Sequence, residues 1–146
     1  MIEVVDLGRT AYGYAWDLQK RIFDLRLRGK IQDVLLLNEH EHVYTLGKNA
    51  DEDHLLANAE ELRKGGVALF RIDRGGDITY HGPGQIVGYP ILDLSAYYRD
   101  AHRYLRDLEE VLIRTLAGYG IACRRDGQLT GVWAGSDKIA AIGVRV

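Results

Sequence analysis

The sequence predicts an α+β fold: a mixed, largely antiparallel sheet with packed helices. Three observations lead there. Short apolar runs bounded by turn residues recur along the chain and read as strands. Two longer segments carry apolar residues at helical spacing. Between two of the strand-like runs lies Arg74 to Gln85, a stretch of glycine, proline and polar side chains far richer than a turn requires.

The elements follow in order. Ile2–Val5 reads as a short strand. Thr10 is placed to cap a helix to about Leu27, stopped by Gly29, with Tyr14, Leu18, Ile22 and Leu25 on its buried face. Val34–Leu37 is continuously apolar, as in a strand covered on both sides. His40 and His42 are expected in a polar turn before a strand over Val43–Leu46. Asp53 is placed to cap a short helix to about Arg63, which Gly65-Gly66 stops. Val67–Ile72 and Ile86–Leu92 flank the Gly-rich loop as strands. A longer helix is expected from about Ala101 to Tyr119, with Tyr104, Leu108, Val111, Leu112, Thr115 and Tyr119 inward and Gly120 as its stop. Ile121–Arg124 and Val132–Trp133 read as a hairpin about Asp126-Gly127. Gly135-Ser136-Asp137 turns the chain into Lys138–Val146, where Ile142, Val144 and Val146 alternate with Ala141, Gly143 and Arg145 in the period of a strand. An apolar strand without a following turn predicts a partner further along. The expectation is one catalytic-type domain, 1–146, truncated at its C-terminus.

Composition excludes several classes. The apolar fraction is 47% and the charged fraction 27%, as in ordinary globular proteins. A net charge of −2 gives no broad attraction to nucleic acid or an anionic membrane. No apolar run reaches membrane-spanning length, and Met-Ile-Glu-Val-Val-Asp does not read as a secretory signal. The single cysteine, Cys123, excludes an internal disulfide and predicts a reducing, cytoplasmic setting.

The loop carries the chemistry. Glycine lets its backbone reach positive φ and approach a ligand closely. Its Arg, Asp, Thr, Tyr, His and Gln put donors, acceptors and a titratable ring into one span. Arg74-Gly-Gly-Asp-Ile-Thr-Tyr-His-Gly-Pro-Gly-Gln85, followed by Tyr89-Pro90, resembles the signature of the lipoyl(octanoyl) transferases. Tyr44-Thr-Leu-Gly47 resembles the strand that precedes it. Gly131-Val-Trp133 and Lys138-Ile-Ala-Ala-Ile-Gly-Val-Arg145 resemble the family's second substrate-contacting stretch, so the resemblance covers essentially the whole chain.

The resemblance implies a biotin/lipoate protein ligase type of fold. It implies transfer of an octanoyl group from octanoyl-acyl carrier protein to a lysine of lipoyl domains, those of 2-oxoacid dehydrogenases and the glycine cleavage H protein. The route is a cysteine thioester, with no cofactor. Lys138 would lower the pKa of the nucleophilic cysteine. Arg74, Gly75, Gly76, Asp77, Ile78, Thr79, Tyr80 and His81 would contact substrate, as would Ala141, Ile142 and Gly143. The family's nucleophile lies downstream of the Lys138 motif, and it is expected to be absent from this chain. Cys123 lies upstream and does not match that position.

Each residue also has a plainer reading. Lys138 can acidify a thiol or be a solvated lysine at a turn. The N–H groups of Gly75-Gly76 or Ile142-Gly143 can hold an oxyanion or acyl carbonyl or belong to tight turns, as suits Gly65-Gly66. His81 can orient substrate or carry a proton, or simply satisfy local backbone. Arg74 can meet an anionic group or pair with Asp73 or Asp77. Cys123 reads as a small, inert core residue on a strand, although two arginines follow it. His40, His42, His54 and His102 have no cysteine or carboxylate spaced to complete a metal site and read as surface residues. Tyr44, Leu46, Ile78, Tyr80 and Ile142 are candidate walls for an acyl chain. Two other functions remain open: an ATP-dependent lipoate or biotin ligase, and a non-catalytic acyl-binding module.

Overall fold

The computed structural model describes residues 1–145, apart from the side chain of Glu52. Val146, in the expected terminal strand, lies outside the described residues. The chain divides into two compact units, Met1–Tyr97 and Tyr98 onward.

The described residues of the first unit form two three-stranded sheets, with strand orders β1-β2-β6 and β4-β3-β5. β1 (Ile2–Thr10) runs parallel to β2 (Asp33–His40), and β6 (Ile86–Ile91) runs antiparallel to β2. β1 is more than twice as long as expected because it continues past Val5 across an irregularity at Asp6/Arg9. There Gly8 adopts a φ of 62° and donates its N–H to Asp6 Oδ1 at 2.9 Å. In the second sheet β3 (Val43–Leu46) is central, parallel to β4 (Ala68–Arg71) and antiparallel to β5 (Ile78–His81). The expected single mixed sheet is thus two smaller ones here.

Helix α1 (Tyr12–Leu27) packs on β2 and β6. Its bounds match the sequence pattern, its inner face matches in part, and its cap does not. Ala11 takes the N-cap position without a side-chain cap, while the Thr10 hydroxyl donates to Asn38 Oδ1 at 2.8 Å. Tyr12 and Ala15 are buried, whereas Tyr14 and Leu25 are exposed. Leu18 and Ile22 of the expected face are half-buried, so the pattern found part of the inner face. His40 also departs from the expected polar turn. It sits on β2, fully buried, because the strand runs three residues further than its apolar stretch. His42, His54 and His102 are exposed, as expected. Asp53 does not cap the next helix. α2 (Ala59–Lys64) begins at Asn58, whose side chain accepts from Glu60 and Glu61 N–H while Glu61 reaches back to the Asn58 N–H.

The second unit contains α3 (Ala101–Gly118), which packs against β7 (Val132–Ala134), and β8 (Asp137–Ala140) paired antiparallel with β7. Asp100 caps α3 through Arg103 N–H. Tyr104 is buried on α3, but Val111, Thr115 and Tyr119 are exposed, and Glu109 is fully buried instead. The expected hairpin about Asp126-Gly127 shrinks to one bridge, Arg124 to Trp133. Asp126 Oδ1 holds its turn by accepting from Gln128 and Leu129 N–H. Cys123 precedes that bridge, half-buried and off any strand. Residues 141–145 make no strand pairing, although Ile142 and Val144 are half-buried between exposed Ala141, Gly143 and Arg145. Their alternation survives as exposure, not as a ladder.

Candidate active site

In the first unit, the signature is part loop and part strand. Arg74–Asp77 is loop, and Ile78–His81 is β5. β5 forms because β3 offers it a partner: Leu46 opposes Ile78, Tyr44 opposes Tyr80, and Val43 opposes His81. The loop's carbonyls are then taken up by the segment leaving β3. Lys48 N–H donates to Arg74 O at 3.0 Å, Gly47 N–H to Asp77 O at 3.2 Å and Asn49 N–H to Gly76 O at 3.3 Å. A Cβ on Gly47 would overlap Gly76 O, so only glycine permits this approach. Gly76 itself has a φ of 95°. The exit is a tight turn in which Pro83 precedes Gly84 (φ 85°) and Gln85 N–H donates to Gly82 O at 3.1 Å.

Arg74 is held inward. Its guanidinium donates to Thr45 O (3.0 Å), Thr45 Oγ1 (2.9 Å), Asp77 O (3.0 Å) and Gly75 O (3.0 Å). It braces the loop against β3. Asp77 faces another way and accepts from Asp51 N–H at 3.1 Å and from His54 at 2.5 Å.

The β3–β5 pair has two unlike faces, because side chains alternate along a strand. Tyr44, Leu46, Ile78 and Tyr80 share one. The rings of Tyr44 and Tyr80 are 5.4 Å apart, and Leu46 is buried beside them. Thr45 and His81 share the other, which meets a cluster of rings. His81 stacks on Tyr12 at 6.5 Å and lies 5.7 Å from His40, and Tyr12 contacts Phe70 at 5.0 Å. His40 lies between Asn38 Nδ2 (3.0 Å) and the Tyr89 hydroxyl (2.5 Å). Burial lowers the pKa of both His40 and His81, although a bond of 2.5 Å to Gln85 Oε1 works against this for His81. Burial pushes the Tyr12 phenol up to about 12 and the Tyr89 phenol higher still. At neutral pH the cluster is therefore neutral. Each of its imidazoles can accept or donate a proton.

In the second unit, Lys138 stands on a bulged hairpin. Gly135, with a φ of 60°, occupies the first central position of its two-residue turn, as a type II′ turn demands. Val132 opposes Ala140, yet Trp133 opposes Lys138, so Ile139 is the extra residue of a β-bulge. The two-residue turn pairs Trp133 with Lys138, whose ammonium lies 5.1 Å from the indole centroid. The bulge falls beyond that pair, where Ile139 would otherwise face Val132. Trp133 is buried and Lys138 exposed, so the cation is steered yet reachable. Ala141, Ile142 and Gly143 follow directly.

Sequence reasoning named Arg74, His81 and Lys138. It missed the residues that hold them: Thr45, Gly47, His40, Tyr89 and Trp133. Thr45, Gly47, Tyr89 and Trp133 were visible inside the motif-like segments. His40 gave no signal, because its partners are remote in sequence.

This arrangement of strands and helices occurs in solved lipoate-protein ligases. A bi-partite lipoate protein ligase from Thermoplasma acidophilum superposes with a TM-score of 0.63 at 21% identity, over 93% of this chain and 52% of that one. Lipoate-protein ligase A bound with ATP gives 0.63 at 17% identity, over 94% and 57%. These likenesses concern the fold. The family model of the lipoyl protein ligase A/B catalytic domain matches residues 11–146, and the chain belongs to that family. Among its relatives, the octanoyltransferase of Rubrobacter xylanophilus is 55% identical over 139 residues, 94% of this chain and 62% of that protein. The octanoyltransferase of Flavobacterium johnsoniae is 48% identical over 160 residues, 99% of this chain and 69% of that protein. The chain thus spans about two thirds of the length of these relatives.

Proposed function

We propose that this chain acts in octanoyl transfer to lipoyl domains. The octanoyl group leaves the thioester of octanoyl-acyl carrier protein for a cysteine thiolate, releasing the carrier thiol. It then passes to the ε-amine of a lipoyl-domain lysine, releasing the enzyme thiol. The observation that carries this reading is the match to octanoyltransferases over nearly the whole chain, with the Arg74–Gln85 loop and Lys138 inside the matched span. The lipoyl domain named alongside the Thermoplasma ligase supports the class of acceptor.

In this reading Lys138 lowers the pKa of the nucleophilic thiol by placing positive charge beside it. The segment Arg74 to His81 contacts substrate, with Arg74 bracing it from within. Ala141 to Gly143 also contact substrate. Tyr44, Leu46, Ile78 and Tyr80 line a slot for its chain. Cys123 is not the nucleophile. The arginines beside it have other partners: Arg125 bonds Glu110 Oε2 at 2.6 Å, and Arg124 bonds Gly135 O at 3.3 Å. The resemblance puts the nucleophile downstream of Lys138. The chain works as a catalytic-type domain in the cytoplasm. No helix among the described residues is long and apolar enough to cross a membrane.

Octanoyl-acyl carrier protein, supplied without ATP, tests this. The chain is expected to bind it, and Gly76→Val is expected to abolish binding while the protein still folds. Unchanged affinity in folded Gly76→Val sinks the assignment of the loop. Attachment that requires ATP and a free fatty acid would make the protein a ligase. An octanoyl mass increment lost on Cys123→Ser would move the chemistry to that sulfur.

A further inference from the structure

We propose that Glu109 is a positioning residue for Lys138, acting through the backbone of Gly131. The inference rests on Lys138 being the acting cation of the proposed transfer. Glu109 lies on α3 with no exposed surface, in a place where a helix ordinarily presents an apolar side chain. A buried carboxylate is costly unless its oxygens are bonded and its charge is matched. Arg106 Nη1 meets Oε2 at 2.8 Å and Oε1 at 3.1 Å, and Arg125 approaches Oε2 at 3.4 Å. Arg125 is shared with Glu110, and Arg106 also reaches Asp126 O at 3.4 Å. Oε1 also accepts the buried N–H of Gly131 at 3.0 Å.

Gly131 is where this bond becomes consequential. Its φ is 139°. A Cβ there would overlap the Cε of Lys138 and come 2.7 Å from Ala140 O. The aliphatic stem of Lys138 therefore rests on the Gly131 backbone, with its ammonium over Trp133. One hydrogen bond and one van der Waals contact connect the carboxylate of α3 to the lysine. An apolar residue at 109 would fill the helix interface as well. Only a side chain with an oxygen at that reach fixes the floor under the lysine.

Reach and charge can be separated. Glu109→Gln keeps the reach and loses the charge, whereas Glu109→Asp keeps the charge and withdraws the oxygen by one methylene. Reductive dimethylation with 13C-formaldehyde makes each lysine visible by NMR, and Lys138→Arg identifies its signal by deletion. In the parent, the Lys138 signal is expected upfield of Lys30, Lys48 and Lys64, because it lies over an indole. Lys20 lies over Trp16 and is no reference. Glu109→Asp is expected to move the Lys138 signal to the position of those three lysines, and Glu109→Gln to keep most of the shift. A parent signal without the shift overturns the proposal. So does a Glu109→Asp variant that keeps the shift, or a Glu109→Gln variant that loses it. None of these spectra needs octanoyl transfer, so they stand if the transfer reading fails. If that reading holds, Glu109→Asp in a protein that carries the nucleophilic cysteine lowers the turnover number and leaves KM for the octanoyl carrier unchanged.

Discussion

Arg74 and Lys138 are cations of two different motif segments, and the structure holds them in opposite ways. Arg74 turns inward and spends its guanidinium on the oxygens of Thr45, Gly75 and Asp77. Lys138 turns outward, with its stem on Gly131 and its ammonium over Trp133. One positive charge is scaffold. The other is presented. Residue type alone does not separate the two roles, but the bonds each cation makes do. The planar fork of arginine suits several fixed acceptors at once, whereas a lysine ammonium is a point charge on a flexible stem that needs a guide.

Several substitutions would break or sharpen this contrast. The largest effect is expected at Gly47. Its replacement by valine drives a side chain into the Gly76 carbonyl and should cost about 3 kcal/mol in denaturant unfolding, since overpacking against backbone has little room to relax. A loss under a third of that would mean that the loop is not seated on β3. Arg74→Lys comes next. It removes the fork while keeping the charge, and a loss of about 2 kcal/mol is expected for its bonds to buried carbonyls. An Arg74→Lys protein of parental stability would place Arg74 with Lys138 as a presented charge.

The third effect is a slope with pH. Burial lowers the pKa of His40 and His81, so the folded protein resists a proton that the unfolded chain accepts below about 6.5. Stability should be full above that value and fall as pH drops from it through the lower folded values. Urea midpoints measured across this window should show the fall, and His40→Gln should flatten it. An unaltered slope in His40→Gln would assign the acid sensitivity to other groups. The smallest effect on stability is expected for Lys138→Ala, about 0.5 kcal/mol for an exposed cation–π contact. Octanoyl transfer, measured in a protein that carries the nucleophilic cysteine, should by contrast be lost. A Lys138→Ala protein as unstable as Arg74→Lys would erase the distinction between the two cations.

Much of the fold was legible in the sequence. Val43–Leu46 was read to the residue, because a short alternating strand between turns has few alternatives. The limits of α1 and α3 came within a residue or two of the structure. Their inward faces came only in part, with Tyr104 buried and Leu18, Ile22, Leu108 and Leu112 half-buried. Tyr14 and Val111 have the apolar character of a core, yet Tyr12 and Glu109 occupy it. Glu109 could not have been found by periodicity, because two arginines and the Gly131 N–H are what make its burial tolerable. The second half of the signature read as loop because glycine, proline and polar residues surround it. The partner that makes it a strand, β3, lies some 30 residues earlier in the chain. The bulge at Ile139 was equally silent, since nothing in Lys-Ile-Ala-Ala marks which residue goes unpaired.

The seat of Lys138 on Trp133 has an optical consequence. The protein has two tryptophans, Trp16 and Trp133, and each lies under a lysine. Trp16→Phe would leave a single indole, and the ammonium over it is the candidate catalytic one. A positive charge over an indole alters the colour and yield of its emission. When Lys138 leaves the ring for another partner, the glow of Trp133 should change with it. The hairpin thus carries its own lamp, and the movement of one amine can be followed in real time without a label.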